Sequence, residues 1–328
     1  MMSAVVPGGS GFLGSHIVDE LLRRGFRVRC LVRSGTSNRW LSDPRLDLRE
    51  VDYGDQASVT SACAGAEYVI HCAGTIAGRN LEEYMDGNRT TTEVMLRAAL
   101  THSATLQRFV HMSSLTAVGP APTIDKPIDS SSPTRPITDY GRSKLAAEES
   151  VRNASQRIPF TIIRPPAVYG ERDLSTLSLF QAMRYHLALL MGFTAKWISL
   201  VHVSDLARGT VDAMLSNATI GKTYALTGDR PYTWSEIFRE IGTAMETWFV
   251  PIRLPHAVVL ALGAVSGLIG RFRSKSPVFN LDKGRDFIQE AWVCSNDEAR
   301  RDFGYIPQVG LHEGIRRTTA WYRSQGWV

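Results

Sequence analysis

Cysteine is scarce: the 328 residues contain only Cys30, Cys63, Cys72 and Cys294. None forms a CxxC pair and no histidine cluster joins them at ligand spacing, so no disulfide framework and no metal site is expected. Reduced, packed thiols in a cytoplasmic protein are the expectation. Long hydrophobic runs are also missing. The most apolar stretch, 257–270, has 14 residues, short of the ~20 needed to span a bilayer. Arg271, Arg273 and Lys275 follow it, a pattern that would suit an acidic membrane surface. Gly263 and Gly267 suit close helix packing as readily, and a packed helix is the favoured expectation. The N-terminus lacks a basic region followed by an apolar one, so no secretory leader is expected.

Charge of one sign is not concentrated anywhere. The chain has 37 Lys plus Arg against 32 Asp plus Glu, a net +5. Residues 1–165 carry 19 basic and 17 acidic groups, and residues 166–328 carry 18 and 15. So even a surplus argues against nucleic acid as a partner. Lysine itself is rare, six of the 37 basic residues, so a Lys placed near chemistry stands out. With no low-complexity tract and 44% hydrophobic residues, the chain is not a disordered one.

What is present is alternation. Strand-like runs at 4–6, 27–32, 46–51, 68–72, 108–112 and 160–164 are separated by helical patterns at 12–24, 56–64, 81–101 and 143–153. That rhythm predicts βαβ units and an α/β Rossmann fold: a doubly wound parallel sheet with helices on both faces. Residues 120–138 hold five prolines and no periodicity, a loop long enough to suggest a function. Beyond Pro165 the pattern is irregular, then helical from Thr233. The expected division is a dinucleotide-binding domain over 1–165 with a return segment at 201–227. A smaller, mostly helical substrate lobe would take 166–200 and 228–328.

Between the first strand and first helix stands Gly8-Gly9-Ser10-Gly11-Phe12-Leu13-Gly14. Gly8 would permit the tight turn, Gly11 the approach of a pyrophosphate, and Gly14 close helix–strand packing. The helix N-terminus would add free N–H groups for the phosphates. At the end of the second strand an acid would read the ribose 2′-OH of NAD. Here Arg33 and Ser34 stand instead, which favours NADP, through a 2′-phosphate, over NAD.

Tyr140 and Lys144 lie four residues apart, one turn on one helix face. Ser113 and Ser114 end the fifth strand, where residues face the ligand crevice. An unperturbed phenol ionises near pH ~10, so a neighbouring ammonium would help Tyr140 exchange a proton with a substrate hydroxyl. Ser114 would orient the same oxygen, and Lys144 would hold the nicotinamide ribose.

These motifs resemble the extended short-chain dehydrogenase/reductase superfamily, in its NAD-dependent epimerase/dehydratase group, over nearly the whole chain. GGSGFLG is similar to TGxxGxxG, with Pro7 in place of Thr, and YGRSK to YxxxK. Asp52, beside Tyr53, falls at the position that meets adenine. Cys72, Ala73 and Gly74 fall in the segment lining ribose and pyrophosphate. FVHMSSLTAVG resembles the catalytic-serine segment, which places Ser114 at the catalytic position and Met112 and Ser113 beside the cofactor. RPPAVYG resembles the segment contacting the nicotinamide, implicating Pro165, Pro166, Ala167 and Val168. VHVSDLA resembles VHVxDLA. Nucleotide-sugar epimerases usually place an Arg just before that segment; here Ile198 stands there, and Lys196 matches only with a register shift.

The segment 177–193 is markedly apolar, which suits a substrate pocket or a core helix equally, and the C-terminal half is similar to branches that include 3β-hydroxysteroid dehydrogenases and dihydroflavonol reductases. The resemblance implies an NAD(P)-dependent alcohol/ketone oxidoreductase on a small hydrophobic substrate, bound near Ser114, Tyr169, Leu177 and Phe180. The alternatives are a nucleotide-sugar epimerase or dehydratase, and a non-catalytic NADP-binding sensor. The resemblance also implies a homodimer.

Overall fold

The computed structural model describes residues 2–270 and 279–328, without the side chains of 269 and 270. Arg271, Arg273 and Lys275 lie outside the described residues. The chain begins β1 (Ser3–Pro7), α1 (Phe12–Arg23), β2 (Arg27–Val32), β3 (Asp47–Glu50), α2 (Gln56–Ala62) and β4 (Tyr68–His71). Next come α3 (Leu81–Met85), α4 (Thr91–Thr101), β5 (Arg108–Met112), α5 (Asp139–Asn153) and β6 (Phe160–Arg164). Six of these strands and one later strand form a seven-stranded sheet, paired parallel throughout.

The remainder comprises β7 (Ala167–Tyr169), α6 (Leu177–Arg184), β8 (Leu187–Met191), β9 (Trp197–His202), α7 (Val203–Leu215) and β10 (Lys222–Ala225). It ends with β11 (Pro231–Thr233), α8 (Trp234–Met245), β12 (Val250–Leu254), α9 (His256–Gly270), α10 (Leu281–Phe287), β13 (Ala291–Trp292), α11 (Asp297–Phe303) and α12 (Leu311–Ser324). The large sheet runs β10-β6-β5-β4-β1-β2-β3. The C-terminal region is mainly helical, with one small sheet around β9 and a two-stranded ribbon of β8 and β12.

Strands buried on both faces read as continuous apolar runs, and β4, β5 and β6 have no exposed residue. One face of the sheet packs Ile17, Val18 and Leu21 of α1 with Leu206 and Val211 of α7. The other packs Val59, Met95 and Val151 of α2, α4 and α5. Strand order reverses between β1 and β4, and ligands bind α/β sheets at such a reversal, outside the carboxyl ends of the strands.

The helix expected over 81–101 is interrupted. A wide turn at Asp86–Thr90 separates α3 from α4, and such turns recur at functional sites. Gly87 lies so close to Thr75 Oγ1 that a side chain would collide with it. The proline-rich loop is tied down: Ala121 N–H donates to Ala291 O at 2.8 Å and Ile128 N–H to Val293 O at 2.9 Å.

Candidate active site

The glycine loop closes over the strand-order reversal. Gly8 has φ +80°, and a Cβ there would come within 2.5 Å of the Ala73 nitrogen. Gly14 presses on the Gly8 carbonyl, leaving no room for a side chain. Gly11 precedes α1 in extended conformation, so the helix N-terminus opens beside Ser10, Phe12 and Leu13 with its first amides free of a side-chain cap. The glycines let the loop backbone pack this tightly, and free amides at a helix N-terminus suit a polyanion. Cys72 is anchored by donating its N–H to Pro7 O at 2.9 Å. Gly74 lies beside Asn88 and Lys144; a Cβ on it would be 2.5 Å from Asn88 Oδ1 and 3.2 Å from Lys144 Nζ.

At the end of β2, Arg33 and Ser34 are exposed. Among the described residues the Arg33 side chain has no hydrogen-bond or ion-pair partner. Asp52 is exposed and accepts the Gly54 N–H at 2.8 Å. The Tyr53 hydroxyl is buried without a partner, the condition of a group awaiting a ligand or water. Burial raises its pKa.

Thr138 caps α5, its hydroxyl accepting the Gly141 N–H at 3.0 Å. The helix therefore starts one residue before Tyr140, and Lys144 follows on the same face. Lys144 Nζ is 6.0 Å from the Tyr140 ring centroid and donates to Met112 O at 3.1 Å. The lysine is buried, and desolvation brings its pKa down to about 8. Burial pushes the Tyr140 phenol up to about 12, opposed by the adjacent Ser114 hydroxyl. Ser114 Oγ accepts from Thr116 N–H at 3.2 Å and from the Thr116 hydroxyl at 2.8 Å. Its own hydrogen is left to donate.

Some expected residues lie elsewhere. The Ser113 hydroxyl donates to Glu148 at 2.5 Å, and its N–H is taken by Ile163 O. Only its carbonyl is left for a cofactor. Arg164 clamps the same glutamate with two bonds of 2.8 and 2.7 Å. Burial alone would raise the Glu148 pKa, but Arg164 holds it below the usual range.

Of the residues expected to contact substrate, Tyr169 and Phe180 are buried in a packed cluster, and Leu177 is half-buried against it. Tyr169 packs on His202, centroids 5.3 Å apart, with its phenol against Gly314. Phe180 meets Tyr322 edge-on at 5.0 Å, and Leu177 packs against the same cluster. Within that apolar segment Phe180 and Met183 of α6 are buried, whereas Leu187, Leu189 and Phe193 beyond the helix are exposed. Pro165 O accepts the Leu115 N–H at 2.9 Å, while Ala167 and Val168 pair in β7 with Leu200 and Val201. Pro166 is half-buried just before that strand.

Sequence reasoning missed four residues that converge here. Asn88, in the wide turn, donates to Thr75 O at 3.0 Å and Ser143 Oγ at 2.9 Å. A Gly-Asn pair inside a helical pattern was its available signal. Tyr84 lies 5.9 Å from the Tyr140 ring. Asp282 Oδ2 accepts the Asp139 N–H at 2.8 Å and the Tyr140 N–H at 3.4 Å. Asp286, one turn further along α10, is buried with Oδ1 unpartnered. Nothing local marks the two aspartates, which come from a segment some 140 residues away.

Comparison with known proteins agrees with this architecture. The family model "NAD dependent epimerase/dehydratase family" matches residues 4–226. A ceramide reductase of Caulobacter vibrioides is 32% identical over 98% of this chain and 95% of its own. A decarboxylating sterol-4-alpha-carboxylate 3-dehydrogenase of Dictyostelium discoideum is 25% identical over 96% of this chain and 99% of its own. The UDP-glucose 4-epimerase of Thermus thermophilus, solved with NAD, superposes with a TM-score of 0.78 at 22% identity, covering 98% and 99% of the two chains. The chain belongs to the NAD-dependent epimerase/dehydratase family and is an NAD(P)-dependent oxidoreductase or epimerase of the extended short-chain dehydrogenase/reductase type.

Proposed function

We propose that this enzyme is an NADP-preferring reductase that converts a ketone on an uncharged, lipophilic substrate to an alcohol, with Tyr140 as the acid. The observation that carries the reading is the state of Lys196. Nucleotide-sugar epimerases of this family usually clamp the substrate diphosphate with an Arg just before the VHVxDLA segment. Ile198 offers no cation, and the nearby Lys196 is buried, donating to Ile288 O at 2.5 Å and Gln289 O at 3.4 Å. An ammonium spent on carbonyls is a poor clamp for a dianion. The similar proteins named for a ceramide and a sterol carboxylate support a lipophilic substrate, and the ceramide reductase also supports reduction.

The coenzyme would lie with its pyrophosphate on Gly8, Ser10, Gly11, Phe12, Leu13 and Gly14. Its adenine would sit by Asp52 and Tyr53, and its 2′-phosphate on Arg33 and Ser34. Cys72, Ala73 and Gly74 would line the ribose, and Pro165 to Val168 the nicotinamide, with Met112 and the Ser113 carbonyl beneath. When bound, the nicotinamide supplies the hydride. The protein supplies the rest. With its pKa raised, the Tyr140 phenol is protonated at neutral pH and can give its proton to the carbonyl oxygen as negative charge develops there. Ser114 donates its free hydrogen to that same oxygen. Lys144 has one of three donors on Met112 O, leaving two for a ribose hydroxyl and the nascent phenolate.

A turnover screen would decide. NADPH or NADH is offered with long-chain keto-amides, sterol ketones and UDP-sugars in parallel. NADPH-dependent reduction of a lipid ketone supports the reading. Conversion of a UDP-sugar with no lipid turnover overturns it in favour of epimerisation.

A further inference from the structure

Helix α9 contains no charged residue in His256–Gly270. A helix that is apolar all round is expected to be buried, in a core or in lipid. Among the described residues this one is covered on one side only. Gly263 packs on α10 so closely that a Cβ would reach within 2.8 Å of Asn280 O, and Val259 is fully buried. On the opposite side Val258, Leu262, Val265 and Leu268 form a continuous stripe at helical spacing, with Leu262 51% and Val265 55% exposed.

The ribbon that feeds this helix repeats the pattern. β8 and β12 pair in parallel, Leu187 opposite Val250 and Leu189 opposite Ile252. All four side chains are exposed. Pro255 joins β12 directly to α9, and the His256 ring lies against Gly192 at the end of β8, so the two apolar surfaces adjoin. Phe193 and Trp248 border the ribbon, 70% and 66% exposed. Large exposed apolar side chains gathered on adjoining elements mark an interaction surface, and exposed Trp is favoured where water meets lipid.

Charge selects the occupant. Neither 184–204 nor 247–270 contains a single Asp or Glu. At the chain's frequency of 32 acids in 328 residues, about four would be expected. The exposed charges in these two segments are Arg184 and Arg253. Among the described residues no helix is long and apolar enough to cross a membrane. We propose that α9 and the β8/β12 ribbon seat the enzyme peripherally on an anionic lipid bilayer, with the apolar stripe in the acyl boundary and the arginines at the headgroups.

The test is flotation of the full-length protein with vesicles of phosphatidylcholine alone or with phosphatidylglycerol added. It uses no substrate, so it fails or succeeds independently of the reading above. The expected result is co-flotation that is stronger with phosphatidylglycerol. It should fall about tenfold or more in the double variant Leu262→Asp/Val265→Asp, since two charges would enter the acyl boundary. Phe193→Ser, at the rim, serves as a milder second variant, and an unchanged far-UV circular dichroism spectrum with cooperative unfolding shows that each is folded. Three results would overturn the proposal: wild type that stays with neither vesicle, variants that float as well as wild type, and a wild-type dimer that the double variant converts to monomer without any vesicle binding. The last would assign the face to a second copy of the chain.

Discussion

Asn88 donates through Nδ2 to the Ser143 hydroxyl at 2.9 Å, joining the wide turn between α3 and α4 to α5 one residue before Lys144. Its Oδ1 meanwhile accepts the Thr75 N–H at 3.0 Å. One buried amide thus holds the strand-end loop, the wide turn and the lysine helix in register. Asn88→Ala should cost about 1–3 kcal/mol, because it strands buried partners rather than merely deleting one bond. Urea denaturation would show this as a lower midpoint at unchanged slope. A change within ~0.5 kcal/mol would mean that water replaces the amide.

Tyr140→Phe removes the proposed proton donor while keeping the ring beside Tyr84. Turnover should drop by about 10²–10⁴, with NADPH affinity, read by fluorescence titration, nearly unchanged. Wild-type turnover in this variant would end the Tyr140 mechanism.

Lys144 gives a pH signature. Its pKa is lowered to about 8 by burial, so the ammonium is present below that pH and lost above it. NADPH affinity should weaken as pH rises through about 8, and Lys144→Met should flatten the profile at the weak level. For stability the sign is opposite: between about 8 and the ordinary lysine value the folded protein binds fewer protons than the unfolded chain. Stability from this group therefore rises with pH across that window. An affinity profile level from pH 7 to 9 in wild type would exclude Lys144 as a charged coenzyme contact.

Arg33→Asp replaces an exposed, unpartnered guanidinium at the end of β2 with the acid that suits a ribose diol. The ratio of kcat/KM for NADPH over NADH should fall by about 10–100-fold, the worth of a charge-assisted phosphate contact. An unchanged ratio would place the 2′-phosphate elsewhere.

The parts of the site that were legible in the sequence are those built within one turn or one loop. The glycine spacing and the Tyr140–Lys144 pair are set by short-range geometry, so their spacing survives any tertiary arrangement. The alternation of strands and helices likewise announced the doubly wound sheet, since strands joined by helical crossovers pair in parallel with helices on both faces. Residues 187–191 and 197–202, by contrast, read as irregular because short strands beside helices give no clear period; pairing with β12, β7 and β11 makes them strands.

Tyr169 and Phe180 show the limit from the other side. An apolar residue is equally suited to a pocket wall or to a core, and composition does not distinguish them. Packing against His202, Gly314 and Tyr322 does. Asp282 and Asp286 carried no signal at all, because the N–H groups of Asp139 and Tyr140 are neighbours of α10 only in space.

Taken by itself, the sequence determined the local geometry: a glycine-spaced turn between the first strand and first helix, a phenol with a lysine one turn away, and a basic rather than acidic end to β2. These follow from covalent spacing and helix period, which no later folding step alters. The tertiary structure decided which groups are spent and which are free. Desolvation, a property of the whole packed molecule, set the ionisation of Tyr140 and Lys144. Long-range contacts consumed Ser113 and Lys196, buried Tyr169 and Phe180, and, among the described residues, left one side of α9 uncovered.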